Sequence, residues 1–114
     1  MRCMQAKSSP VTTVNIDYAN CGLAKTLEII GSKWTLMILY GLMSGTKRFG
    51  ELQSELGVSP RTLTARLVQL EKDGIIAKKA YAEVPPRVEY SLTAKGKSLN
   101  KIVTELCRWG DTRC

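Results

Sequence analysis

The sequence predicts a mainly α-helical fold carrying one small β-hairpin. Three observations predict it. Apolar residues recur at helical spacing over most of the chain from residue 22 onward, a Ser-Pro pair opens one of those helices, and two strand-like runs flank a pair of adjacent prolines. The 114 residues suffice for one domain with its own core, and a composition 44% hydrophobic and 24% charged is that of a globular chain.

Residues 1–20 are Ser/Thr-rich and weakly patterned, and read as a flexible arm whose end is docked by Ile16 and Tyr18. The domain is expected over 21–114. Its first helix, Gly22–Ile30, places Leu23, Leu27 and Ile30 on one face, and Gly31 ends it. Ser32 caps a second helix, Lys33–Met43. There Trp34, Met37, Ile38 and Leu39 spread around the axis, the pattern of a central, most buried helix. Ser44-Gly45 stops it, and Thr46–Phe49 reads as short and extended. Gly50–Leu56 follows as a helix with Leu52 and Leu56 inward, broken by Gly57. Ser59 is an N-cap and Pro60 takes the first helical position, where its missing N–H costs nothing. That helix runs to about Lys72 with Leu63, Leu67 and Leu70 on one stripe, and Asp73-Gly74 turns the chain. Ile75–Ala82 and Val88–Leu92 are strands joined by residues 83–87, where Pro85 and Pro86 forbid a helix. Thr93 caps a last helix through about Trp109, with Leu99, Ile102, Val103 and Leu106 apolar.

Helix, Gly-containing turn, capped helix and basic hairpin is the order of a winged helix-turn-helix. Charge agrees with a polyanion partner: 17 Lys and Arg against 10 Asp and Glu leave a formal +7. An α-helix fits the major groove and meets base edges with its N-terminal residues. Opposite the leucine stripe, Arg61, Thr62, Ala65 and Gln69 lie on or beside the outer face, and Arg66 reaches out from its edge. Arg reads guanine bidentately, Ser59, Thr62 and Thr64 can bond bases or phosphates, and Ala65 leaves room for close approach. Lys78, Lys79 and Arg87 of the hairpin, with Lys47 and Arg48 ahead of the helix pair, supply cations for phosphate or minor groove. Backbone N–H groups at the start of the Gly50–Leu56 helix could hold a further phosphate.

Several functions are excluded or disfavoured. There is no histidine, which removes Ser-His-Asp and Cys-His catalysis and His-ligated metals, and no C-x-x-C pair occurs. No enzyme activity, cofactor or metal is expected. No apolar run approaches the ~20 residues that span a bilayer, and MRCMQAKSSP lacks the apolar stretch of a signal peptide. A cytoplasmic location and no membrane partner are therefore expected.

Residues 21–109 resemble the HxlR-type branch of the MarR-like winged-helix transcription regulators. The matching strings are Cys21-Gly-Leu-Ala-Lys-Thr-Leu27, Gly31-Ser-Lys-Trp34, Ile38-Leu39, Arg48-Phe-Gly-Glu-Leu52, and Ser59 with Leu63-Thr64 and Leu67. They continue with Leu70-Glu-Lys-Asp-Gly74, the specific hairpin string Val84-Pro-Pro-Arg-Val-Glu-Tyr-Ser-Leu-Thr93, and Lys95-Gly96. Gly22 stands where the family often has Pro, and Gly31-Ser32 where it often has Gly-Gly. The resemblance implies a homodimer paired through the first and last helices, binding an inverted-repeat operator in double-stranded DNA. The apolar positions of the last helix, followed by Trp109, suggest the same, since a chain of this size has little core left to cover them.

Four cysteines are present, Cys3, Cys21, Cys107 and Cys114, expected as reduced thiols. Cys21 opens the first helix, where the helix N-terminus stabilises a thiolate and Lys25 adds charge. An accessible thiol there suits an oxidant or electrophile sensor. The resemblance implies the same use, since several HxlR-type regulators sense disulfide stress, quinones or aldehydes through this position. Cys107 is its candidate partner if first and last helices of two subunits cross; otherwise it is a small apolar filler beside Leu106. Cys3 and Cys114 lie in the chain's ends. Three rival readings stand beside the redox regulator. They are a ligand-gated regulator with Trp34, Tyr40 and Trp109 lining a pocket at the dimer helices, a protein-binding winged-helix module, and a thiol peroxidase-like enzyme at Cys21.

Overall fold

The computed structural model describes residues 17–114; the expectations for Cys3 and Ile16 lie outside them. The chain divides into two compact units, one ending at Ser32 and the other spanning Lys33–Cys114. In the first, Asn20 Nδ2 donates to Asp17 Oδ2 at 2.8 Å in a turn that leads into α1, Gly22–Ile30. Tyr18, expected to dock the arm, is instead 74% exposed. Ile30 is buried, whereas Leu23 and Leu27 are left in solvent. A Cβ at Gly31 would fall 2.3 Å from the Leu27 carbonyl oxygen, so the helix ends on a residue that has none.

The second unit runs α2 (Lys33–Leu42), β1 (Lys47–Arg48), α3 (Phe49–Leu56), α4 (Pro60–Lys72), β2 (Ile76–Tyr81), β3 (Arg87–Leu92), α5 (Ala94–Lys97) and α6 (Asn100–Arg113). As expected, α2 is central: it packs on α3, α4, α6 and β3 through buried Ile38, Leu39 and Leu42. It is not buried all round, because Met37 and Tyr40 are exposed on its other side. Leu52, the α4 leucines, Ile75, Ile76, Tyr90 and Val103 complete the core. Each such side chain removed from water contributes about 1.5–3 kcal/mol.

The hairpin is wider than its two expected strands. The extended segment at Lys47–Arg48 joins it as a third strand, giving an antiparallel sheet in the order β1-β3-β2. The last helix also departs from expectation. Thr93 caps it, its Oγ1 accepting from Gly96 N at 3.1 Å, but only a four-residue α5 follows. Gly96 is pressed against the start of β2: a Cβ there would lie 2.1 Å from the Ile75 carbonyl oxygen. The Leu99 N–H bonds three residues back to Gly96 O and tightens the chain before α6 begins. α6 then passes Trp109 and continues to Arg113.

Candidate nucleic-acid interface

α3, Gly57 and α4 form the helix-turn-helix. Gly57 adopts φ +66° and its N–H closes α3 onto Gln53 O at 2.9 Å, a left-handed cap that costs glycine no steric strain. Ser59 Oγ then accepts the Thr62 N–H at 3.2 Å and donates to Thr62 Oγ1 at 3.1 Å. At the far end Gly74, φ +74°, and Ile75 donate to Glu71 O and Leu70 O at 3.0 and 2.9 Å, a Schellman closure. α4 is thus fixed at both ends and anchored by Leu63, Leu67 and Leu70, all but absent from the surface. Arg61, Thr64, Ala65, Arg66 and Gln69 are exposed, and Thr62 is half-buried. Gln69 is engaged, with Nε2 3.3 Å from Asp73 Oδ1.

The sheet register sets the basic residues on definite faces. Arg48 and Lys79 both stand across from Glu89, so these three share one face with the pair Tyr81 and Arg87. Lys47 pairs with Tyr90 on the other face, is half-buried, and ion-pairs with Glu55 of α3. Lys78, Lys79 and Arg48 are exposed. Arg87 is not a free cation: its Nη2 lies 3.0 Å from Glu83 Oε2, and its Nε is 3.6 Å from Glu89 Oε2, too far for a hydrogen bond. At the start of α3 the Arg48 N–H donates to Glu51 Oε1 at 2.8 Å, so a carboxylate stands beside the N–H groups expected to hold a phosphate. Sequence reasoning missed these acidic partners. Glu83 and Glu89, four residues before and two after Arg87, were the available signal.

The thiols are arranged differently from expectation. Cys21 is the N-cap of α1, its Sγ accepting the Ala24 N–H at 3.4 Å, yet it is only 3% exposed rather than accessible. Cys107 is exposed, which overturns its reading as a buried filler. Its Sγ is 3.9 Å from Tyr40 Oη and 4.0 Å from Asp111 Oδ2. The Tyr40 hydroxyl is raised above the usual tyrosine range, first by its hydrogen bond with Cys107 and then by the charge that thiol can carry. Of the residues suggested for a ligand pocket, Tyr40 lines a groove between α2 and α3 with Met37, Lys47 and Glu55. Trp109 borders a separate shallow hollow on α6 with Ile102 and Leu106. Trp34 lines neither, and carries Lys33 Nζ 4.8 Å from its ring centre. No helix among the described residues is long and apolar enough to cross a membrane.

A doubly capped helix with a cationic outer side, set beside a basic three-stranded wing, defines the class: a winged helix-turn-helix, DNA-binding transcription regulator. The profile of the HxlR-like helix-turn-helix family matches residues 29–114, and the chain belongs to that family. It is 45% identical over 92 residues to the uncharacterized HTH-type transcriptional regulator YkvN of Bacillus subtilis, covering 80% of this chain and 78% of that one. Among solved structures, it is similar to a MarR-family transcriptional regulator of Porphyromonas gingivalis W83. That likeness has a TM-score of 0.84 at 37% identity, and covers 89% of this chain and all of that one. It is also similar to the redox regulator HypR in its oxidized form, with a TM-score of 0.79 at 40% identity, over 82% of this chain and 98% of that one.

Proposed function

We propose that the chain acts as a homodimer that reads an inverted-repeat operator through α4, with its affinity set by the oxidation state of Cys21. The observation that carries the reading of DNA is the outer side of α4. Arg61 and Arg66 stand exposed on a helix whose inner side and both ends are fixed, so the binding energy is not spent on ordering it. Ser59, Thr62, Thr64, Ala65 and Gln69 border the same surface, while Lys78, Lys79 and Arg48 lie on the wing for phosphate. Lys47 and Arg87 are tied to carboxylates and serve the scaffold first. Arg61→Ala and Arg66→Ala should each relax base preference, costing about 1–3 kcal/mol on the preferred site if the lost contact is bidentate. Selection from random duplexes checks this. Unchanged preference in both variants would show that α4 does not read bases.

The redox reading draws on Cys21 at a helix N-terminus and on the similarity to HypR, which is named a redox regulator. Because Cys21 is buried, a local opening must uncover the sulfur before an oxidant reaches it. Oxidation by diamide removes two electrons and two protons from two thiols, joining Cys21 to Cys107 of the second subunit or to a small thiol. A covalent change at α1 would alter the dimer and the spacing of the two α4 helices, by about 1–3 kcal/mol of coupling. Cys21→Ser should fold, bind DNA with the parent's affinity, and ignore diamide in a gel-shift. If it responds as the parent does, the sensor lies elsewhere, and a small ligand becomes the better candidate effector.

A further inference from the structure

We propose that Arg87 is a positioning residue of the wing: it orders the hairpin tip and presents Lys79, and it does not itself contact phosphate. The inference rests on the DNA-binding reading above. Arg87 and Tyr81 are directly paired across β2 and β3, at the last rung before the loop. The guanidinium carbon lies 3.8 Å from the centre of the Tyr81 ring, within stacking contact. Glu83, from the loop, takes Nη2 at 3.0 Å, and Glu89, further along β3, faces Nε at 3.6 Å. Nε is buried and has no hydrogen-bond acceptor among the described residues. One planar cation therefore ties the loop, β2 and β3 together. Two carboxylates already answer its charge, so an approaching phosphate would meet their repulsion before it met the guanidinium. Lys79 differs: it is exposed, and its Nζ rests 5.0 Å from the same ring. The ring that Arg87 holds is thus the ring that orients Lys79.

Two consequences separate positioning from contact. A phosphate accepts lysine in place of arginine as a point charge, whereas a stacked fork between two carboxylates does not. Loss of a phosphate contact flattens the salt dependence by about 0.9 in slope for each cation removed; loss of a positioning residue leaves the slope in place. The test compares the full-length parent with Arg87→Ala, Arg87→Lys and Lys79→Ala. It measures amide hydrogen exchange over residues 76–92 in the free protein, and affinity for a random-sequence duplex over a range of salt. Arg87→Ala should accelerate exchange in the wing and weaken binding about tenfold, the cost of ordering the freed tip on binding; Lys79 still reaches phosphate once bound, so the slope is unchanged. Arg87→Lys should restore neither property, while Lys79→Ala should flatten the slope and leave exchange alone. Recovery of affinity by Arg87→Lys, or a flattened slope with unchanged exchange in Arg87→Ala, would overturn the proposal. Should Arg87→Ala not fold, Tyr81→Leu keeps the cation and removes its platform. Faster wing exchange is again expected, and parent-like exchange contradicts the inference. A parent chain that binds no duplex would defeat the DNA-binding reading instead, while the exchange measurements would still decide whether Arg87 orders the wing.

Discussion

Raising salt from about 50 to about 200 mM should cut the affinity for duplex DNA about a thousandfold. Arg48, Arg61, Arg66, Lys78 and Lys79 are exposed, and none forms an ion pair among the described residues. If about three of these reach phosphate in each protomer, a dimer neutralises about six, and the logarithm of the binding constant falls with a slope near −5 against the logarithm of salt. Lys47, Arg87 and Arg108 are left out of this sum because each already faces a carboxylate. Fluorescence anisotropy of a labelled duplex at several salt concentrations measures the slope. A change in affinity of less than about threefold over that range would mean that about one phosphate or fewer is neutralised.

Disrupting the outer side of α6 should cost affinity on the order of a hundredfold or more, without touching the DNA-facing surface. Ile102, Leu106 and Trp109 follow one another at helical spacing and are 47%, 52% and 61% exposed. In a regulator that reads a two-fold operator, such a stripe is the natural place for a second copy. Leu106→Glu with Trp109→Glu places charge across it. Both side chains are already largely in solvent, so the monomer fold should survive with little change in melting temperature. Sedimentation should show the parent as a dimer and the variant as a monomer that holds a single half-site weakly. A variant that remains a dimer, or a monomer with the parent's operator affinity, would rule out this surface as the dimer contact.

The helix-turn-helix was legible in the sequence because its signals are local. Ser59-Pro60, the leucine repeat and Gly57 each act within one or two helical turns, and α4 begins and ends where they place it. Thr93 was legible as a cap for the same reason. What it caps was not: the helix is interrupted where the Leu99 N–H turns back to Gly96 O, and Gly96 fits against the Ile75 carbonyl, a contact across 21 positions that no local pattern records. The third strand was hidden likewise: two residues cannot show alternation, and only pairing with β3 makes Lys47–Arg48 a strand. In the site, residue type gave the cations but not their partners. Lys47 and Arg87 look like their neighbours in sequence and differ from them only through Glu55, Glu83 and Glu89. The same limit applied to Cys21, whose place at a helix start was readable while its burial was not.

Backbone amide NMR reports most directly whether α4 is the helix that enters the groove. A 15N-labelled sample is titrated with a duplex carrying the selected inverted repeat. The largest shifts should fall on amides 61–66 at the start of α4 and on 78–80 of the wing, with α2 nearly still. Shifts gathered on α6 or α1, with residues 61–66 unmoved, would contradict that role for α4.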